Sequence, residues 1–243
     1  MNFSENKNQS WSIIIFGYNE EDTIAAVAEK AMEFLKNNNI SNGEILIVDD
    51  GSRDNTPAIT RNLEAKNYIR IIRHEKNLGI GPALVTGYNN ARCENIVAVP
   101  ADGQFDISEL QPYVNFAQKS FISYYREEVL NYSPYRNVVT FTNKLFNKIF
   151  LNLRIKDINW VKAYKSKELR SLDLKLNSSL IGSEICAKLV IKGCDAIEAP
   201  SVYHQRIAGK ARGASLKTLS HAVKELLKLV LIIRTFKKSQ KRQ

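Results

Sequence analysis

The sequence predicts an α/β fold: a doubly wound, mostly parallel sheet flanked by helices in Rossmann-like fashion, with an amphipathic helix at the C-terminal end. Two observations carry this expectation. Apolar runs alternate with helix-length amphipathic segments four times within the first hundred residues, the rhythm of parallel strands joined by helical crossovers. Each run is followed by a polar cluster, and in a parallel sheet such clusters converge on one edge.

The first strand is Trp11-Ser12-Ile13-Ile14-Ile15-Phe16, broken by Gly17-Tyr18-Asn19-Glu20-Glu21-Asp22. A helix follows from about Thr23 to Lys36, because Ile24, Val27, Ala28, Ala31 and Leu35 recur at helical spacing. Glu44-Ile45-Leu46-Ile47-Val48 is the second strand, closed by Asp49-Asp50-Gly51-Ser52. Asp54 or Asn55 can cap a second helix with Pro57 in its first turn. Ile69-Arg70-Ile71-Ile72 is the third strand, and Asn77-Leu78-Gly79-Ile80-Gly81 opens a helix ending near Cys93. Ile96-Val97-Ala98-Val99 is the fourth strand and stops at Pro100.

After Asp106 the rhythm changes. A helix is expected over 107–119, with Pro112 in its first turn or kinking it. Phe121 to Tyr125 reads as a strand followed by Arg126, and Val138 to Leu153 has helical spacing. Lys156 to Trp160 reads as a loop, Gly182 to about Lys192 as a helix and Ala196 to Ala199 as the last strand. His204 to Gly213 is a polar, basic, glycine-bearing loop. The parse is one domain over 11–214, a disordered N-terminus over 1–10, and a basic helix and tail over 215–243.

Charge separates the tail from the body. The net charge is +10; from Gly209 onward there are ten Lys/Arg against one Glu, so the first 208 residues are nearly neutral. A basic tail implies a polyanionic partner such as a membrane surface. Leu216, Leu219, Val223, Leu226, Val230 and Ile233 share one helix face, with Lys217, His221, Lys224 and Lys228 opposite. Two placements follow: the apolar face docks on the body, or it lies in the plane of a membrane. Cys93, Cys186 and Cys194 are widely spaced without a CxxC pair, so neither a zinc site nor a disulfide framework is expected, and a reducing cytoplasm fits. No signal peptide and no spanning segment are expected.

The chemistry is placed at Ala101-Asp102-Gly103-Gln104. Asp102 and Gln104 can face one divalent ion across Gly103. GxGxxG and GxxxxGK[ST] are both absent, which excludes the common dinucleotide and P-loop signatures.

The segments Ile13 to Glu21, Ile47 to Asp54, Asn77-Leu78-Gly79 and Ala101 to Gln104 together resemble the family 2 glycosyltransferases. The nearest branch is similar to the dolichol-phosphate mannosyltransferases and bacterial polyprenyl-phosphate sugar transferases. The resemblance implies a GT-A fold and a UDP- or GDP-sugar donor. It implies that Tyr18, Glu20 and Asp50 hold the nucleoside with Asp49 close by, and that Ala101 and Asp102 complete the nucleotide contacts. It implies that Asp102 and Gln104 approach Mg2+ or Mn2+ on the diphosphate. Asp157 and Glu184 match acids on the acceptor side, candidate catalytic residues beside Asp102. Arg206 and Lys210 match a loop that grips phosphate groups in the lipid-phosphate branch.

The sequence departs from the pattern in two places. Pro100 stands where the metal motif usually begins with an acid, and Ala211 and Arg212 stand where serine and lysine are usual. The resulting expectation is a cytoplasmic, inverting glycosyltransferase, peripheral on the inner membrane face. Its acceptor is a polyprenyl phosphate or, alternatively, a glycan or lipid hydroxyl. Pro100 motivates a second reading, a non-catalytic nucleotide-sugar binder. The tail motivates a third, nucleic-acid binding, which the nearly neutral body disfavours.

Overall fold

The computed structural model describes residues 9–66, 68–127, 146–204 and 216–241. Its strands are β1 Trp11–Gly17, β2 Glu44–Asp49, β3 Ile69–Arg73, β4 Asn95–Pro100, β5 Ser120–Arg126, β6 Lys162–Lys165 and β7 Asp195–Ser201. They form one sheet in the order β3-β2-β1-β4-β6-β5-β7. Strands β1 to β4 are parallel to their neighbours among themselves, β6 runs antiparallel to β4 and β5, and β7 is parallel to β5. The helices are α1 Ile24–Asn37, α2 Thr56–Glu64, α3 Ile80–Asn90, α4 over 146–151, α5 Ser166–Arg170, α6 Ile181–Ile191 and α7 Leu216–Gln240.

The alternation of side chains along each strand builds a core on each face. Ile13 and Ile15 of β1 join Ile24, Ala28 and Ala31 of α1 on one side. Ile14 joins Ala83 and Tyr88 of α3 on the other, with Ile185 and Leu189 of α6 further along the same layer. Helix α3 lies so close to β1 that a Cβ at Gly87 would stand 2.6 Å from Ile14 Cγ2. The result is the doubly wound, mostly parallel architecture the alternation implies.

The later half differs in four places. The helix expected over 107–119 is a short 3-10 helix, Ile107–Tyr113, with Pro112 inside it; proline has no N–H to continue the ladder. Most of the helix expected over 138–153 lies outside the described residues. Strand β6 and helix α5 were not anticipated, because Lys-Ala-Tyr-Lys carries no apolar run. All four of its residues are nevertheless buried. Lys162 Nζ donates to the carbonyls of Asp157, Ile158 and Trp160 at 3.1, 2.8 and 3.0 Å. Lys165 Nζ donates to Gln9 Oε1 and Asn95 Oδ1, both at 2.8 Å. Burial pulls both ammonium groups below the usual lysine range, Lys165 to about 8.

The fourth difference is the tail. Of the expected apolar stripe, Val230 and Ile233 are buried in the core layer that includes α6, together with Leu229. Phe236 lies 5.3 Å from Lys188 Nζ. This part of the face is therefore spent on the body and is not available to lie in a membrane. Leu227 and Leu231 point outward instead, 62% and 64% exposed. Among the described residues no helix is long and apolar enough to cross a membrane.

Candidate functional site

The carboxyl ends of β1, β2 and β4 meet at one edge. Asp50 N–H donates to Gly17 O and Ala101 N–H to Phe16 O, both at 2.9 Å, tying the three strand ends together. Gly17 has to be bare, since a Cβ there would be 2.8 Å from Ala101 Cβ. The two loops after β1 and β2 are then laced to each other. Asn19 N–H donates to Ser52 Oγ and Arg53 N–H to Asn19 Oδ1, both at 2.8 Å. Glu20 N–H donates to Thr56 Oγ1 at 2.9 Å, and Asn55 N–H to Glu21 Oε2 at 2.8 Å. Asn19 adopts φ +57°, a left-handed turn that asparagine tolerates. Tyr18 and Glu20 sit half-buried on this platform, whereas Ala101 is buried and offers only its backbone.

Asp50 has its partners within the protein. Its carboxylate is consumed inside the protein: Oδ1 accepts from Leu78 N–H at 2.9 Å and from His74 Nδ1 at 2.7 Å, and Oδ2 from Gly79 N–H at 2.8 Å. His74 Nε2 in turn faces Thr86 Oγ1 at 2.9 Å. Asp50 therefore shapes the 74–79 loop. The backbone at Gly51 lies close against the same loop. Its φ is +74°, and a Cβ would stand 2.4 Å from the Lys76 carbonyl carbon.

Asp49 is the carboxylate with capacity. Oδ1 accepts from Ser52 N–H at 2.9 Å. Oδ2 is buried without a hydrogen bond; Arg73 Nε stands 3.3 Å away, at ion-pair distance but not aligned to donate. Arg73 also donates to Ser52 O at 2.9 Å and is half exposed, so a cation stands at the same sheet edge. The pairing of Asp49 with Arg73 follows from the β2–β3 register, which sequence analysis had no means of fixing.

Across β1 from it, at the end of β4, Asp102 is buried and its Oδ1 accepts from Gln104 N–H at 3.1 Å. Gln104 Nε2 donates to Tyr203 OH at 2.6 Å and points at His204 O at 3.4 Å, while His204 N–H donates to Gln104 O at 3.2 Å. Residues 102–104 are thus bound to the segment leaving β7. Asp102 and Gln104 offer a carboxylate and an amide oxygen, hard donors suited to Mg2+ or Mn2+. No group of three or more His, Cys, Asp or Glu able to hold a metal occurs among the described residues. Two protein donors still fit an ion whose other positions are filled by substrate phosphate and water, the usual mode for Mg2+.

The acids assigned to the acceptor side are both engaged. Asp157 is held bidentately by Arg126, Nε to Oδ2 at 2.7 Å and Nη2 to Oδ1 at 3.2 Å. That guanidinium lies 4.9 Å from the Trp160 ring and 5.6 Å from the Tyr203 ring. Asp157 accordingly orients Arg126, and using it as a base would break a mostly buried ion pair. Glu184 is fully buried. It accepts from Lys175 N–H at 2.9 Å, Leu176 N–H at 2.8 Å and Lys188 Nζ at 2.5 Å, which pins the 173–176 loop to α6. Arg206 and Lys210 lie outside the described residues. Arg73, Arg126, Tyr203 and His204 were not singled out from sequence. The one signal available was that Arg73 and Arg126 each follow a strand-like run at this edge.

The model of glycosyl transferase family 2 matches residues 12–161, and the chain belongs to that family. Among its curated relatives, a dolichyl-phosphate β-glucosyltransferase of Trichomonas vaginalis is 33% identical over 105 residues, covering 41% of this chain and 31% of the relative. A UDP-N-acetylglucosamine–dolichyl-phosphate N-acetylglucosaminyltransferase of Methanococcus voltae is 37% identical over 123 residues, 42% of this chain and 47% of the relative. The chain thus spans less than half of either relative. Mannosyl-3-phosphoglycerate synthase of Rubrobacter xylanophilus superposes with a TM-score of 0.67 at 15% identity, over 96% of this chain and 75% of that one. Glucosyl-3-phosphoglycerate synthase of Mycobacterium tuberculosis, crystallised with Mn2+, UDP-glucose and phosphoglyceric acid, superposes with 0.65 at 14% identity, over 93% and 79%. At such identities the likeness is one of fold.

Proposed function

We propose that this chain transfers a sugar from a nucleotide-sugar donor to a polyprenyl phosphate, with inversion at the anomeric carbon. The observation that carries the reading is the sheet edge where the carboxyl ends of β2, β1 and β4 meet. There Asp49, whose buried Oδ2 makes no hydrogen bond, and the Asp102–Gln104 pair stand on either side of β1. Asp49 Oδ2 accepts an N–H of the nucleoside base, and Arg73 donates to a neighbouring carbonyl of the base. Asp102 and Gln104 would hold Mg2+ or Mn2+, which neutralises the departing diphosphate. Arg126, backed by Asp157, orients the incoming phosphate, and Arg206 and Lys210 clamp it.

An anionic phosphate acceptor requires no general base. A hydroxyl acceptor would require one, and both candidate acids are tied up, Asp157 by Arg126 and Glu184 by Lys188. That favours the phosphate. The relatives named for dolichyl-phosphate transfer support the same acceptor. Attachment to the inner membrane face is peripheral, through the outward side of α7, where Lys224, Lys228, Arg234, Lys237 and Lys238 surround Leu227 and Leu231.

The test is a thermal-shift screen of UDP- and GDP-sugars with and without Mn2+, followed by transfer to a polyprenyl phosphate. A donor at a hundred times its Kd should stabilise the fold by about 2.7 kcal/mol. Transfer with inverted anomeric configuration is expected. Absence of stabilisation by every donor overturns the donor reading; transfer to 3-phosphoglycerate but not to the lipid overturns the acceptor. Because deleting α7 would uncover the core, the membrane contact is tested by charge reversal. Changing Lys224, Lys228, Arg234 and Lys238 to Glu should release the protein from anionic vesicles while donor binding persists. Undiminished vesicle binding would reject it.

A further inference from the structure

We infer that Tyr203 is a positioning residue that fixes the amide of Gln104 with its oxygen presented to the ion held beside Asp102; the inference rests on the metal reading above. A glutamine can ligate a hard cation only through Oε1, so its Nε2 has to be directed elsewhere. A rotating amide would present the wrong atom half the time. Here Nε2 is 2.6 Å from Tyr203 OH and 3.4 Å from the carbonyl oxygen of His204. A phenol could face either end of the amide. A backbone carbonyl only accepts, so the atom facing His204 O is the NH2. The two contacts together leave Oε1 on the opposite side.

Tyr203 is itself held. Its ring centroid lies 5.6 Å from that of Trp160 and 5.6 Å from the Arg126 guanidinium, and Trp160 Nε1 donates to Ser201 Oγ at 2.8 Å. The phenol thereby joins two parts of the reaction: the amide that would face the ion and the cation that would face the incoming phosphate. In this role Tyr203 acts through Gln104.

The test uses the full chain and reads Mn2+ binding directly, by electron paramagnetic resonance titration in the presence of saturating UDP or GDP. Tyr203→Phe keeps the ring and removes the acceptor. It should weaken Mn2+ roughly tenfold or more, the effect of losing an outer partner of a ligand. Nucleotide binding without metal and the melting temperature should be unchanged. The same substitution is then made in a Gln104→Glu background. A carboxylate has two equivalent oxygens and needs no orientation, so Tyr203→Phe should there leave Mn2+ affinity unaltered. Equal Mn2+ affinity of wild type and Tyr203→Phe overturns the inference. So does an equal loss in both backgrounds, which would mark Tyr203 as merely structural. A wild type that binds no Mn2+ overturns the metal reading, and this inference with it.

Discussion

The two halves of the sheet solve the problem of buried polarity in different ways. From β1 to β4 the strands are parallel, and acids at their ends accept from backbone N–H groups: Asp49 from Ser52, Asp50 from Leu78 and Gly79, Asp102 from Gln104. These carboxylates order loops at low cost, because the orphan donors of tight turns need acceptors. From β5 to β7 the structure is organised by buried cations. Lys162, Lys165 and Lys188 are each almost completely covered, and Arg126 lies against the Trp160 and Tyr203 rings. There the acids are partners of cations rather than loop acceptors alone. The comparison teaches that an acid near a sheet edge is a site residue only where its oxygens are not already accounted for. By that criterion the proposal above gives donor recognition to Asp49, while the oxygens of Asp50, Asp157 and Glu184 are engaged by the protein itself.

The largest effect expected from this contrast is on stability. Glu184→Gln leaves Lys188 buried without its counter-charge and turns an amide NH2 toward a cation or the Leu176 N–H, so unfolding free energy should fall by about 3–5 kcal/mol. Nucleotide affinity should be unchanged, and a denaturant titration with a parallel binding curve checks both. Asp157→Asn should cost about 3 kcal/mol by the same logic. The slope of the pH–rate profile should survive in that variant, since no base has been removed; loss of an alkaline-rising limb would restore Asp157 as the base.

On the other side of the comparison, Asp102→Asn should leave the fold intact and lower transfer on the order of 10²- to 10³-fold, the scale of losing preorganised charge stabilisation. Turnover rates of the folded variant decide it. A smaller effect is expected from pH. Burial, foremost, pushes the Cys186 thiol up to about 11 from 9.0. The folded chain then keeps a proton that the unfolded chain releases, so this stabilisation is complete below pH 9 and is lost as pH rises from there toward 11. Cys186→Ala should flatten that part of the alkaline stability curve. The smallest expected effect is that of Thr86→Val. It removes a hydroxyl from His74 Nε2 and should cost about 1 kcal/mol, with a modest loss of donor affinity through the 74–79 loop.

How much of this was legible in the sequence follows the same division. The four parallel strands and three crossover helices announce themselves, because Ile13-Ile14-Ile15 and Ile45-Leu46-Ile47-Val48 are uninterrupted apolar runs. Strand β6 does not, because Lys162 and Lys165 break the pattern and are rescued only by Asp157, Ile158, Trp160, Gln9 and Asn95, contacts that exist after folding. The location of the site at the strand ends was legible; the choice between Asp49 and Asp50 was not. Adjacent acids point to different sides of a strand end, and only the register with β3 shows that Asp49 meets Arg73. In the tail the helix was legible from its period. Which side it docks was not, because Leu226, Leu227, Leu229, Val230 and Leu231 leave several rotations open.

The decisive comparison is calorimetric titration of UDP and GDP into Asp49→Asn and Glu184→Gln, each checked for a folded circular dichroism spectrum. Asparagine at 49 still accepts from Ser52 but replaces the carboxylate oxygen that lacks a hydrogen bond. Affinity for the preferred nucleotide should fall tenfold or more in Asp49→Asn, about 1.4 kcal/mol, and stay at the wild-type value in Glu184→Gln. Wild-type binding by Asp49→Asn together with weakened binding by Glu184→Gln would contradict the assignment of donor recognition to the parallel half of the sheet.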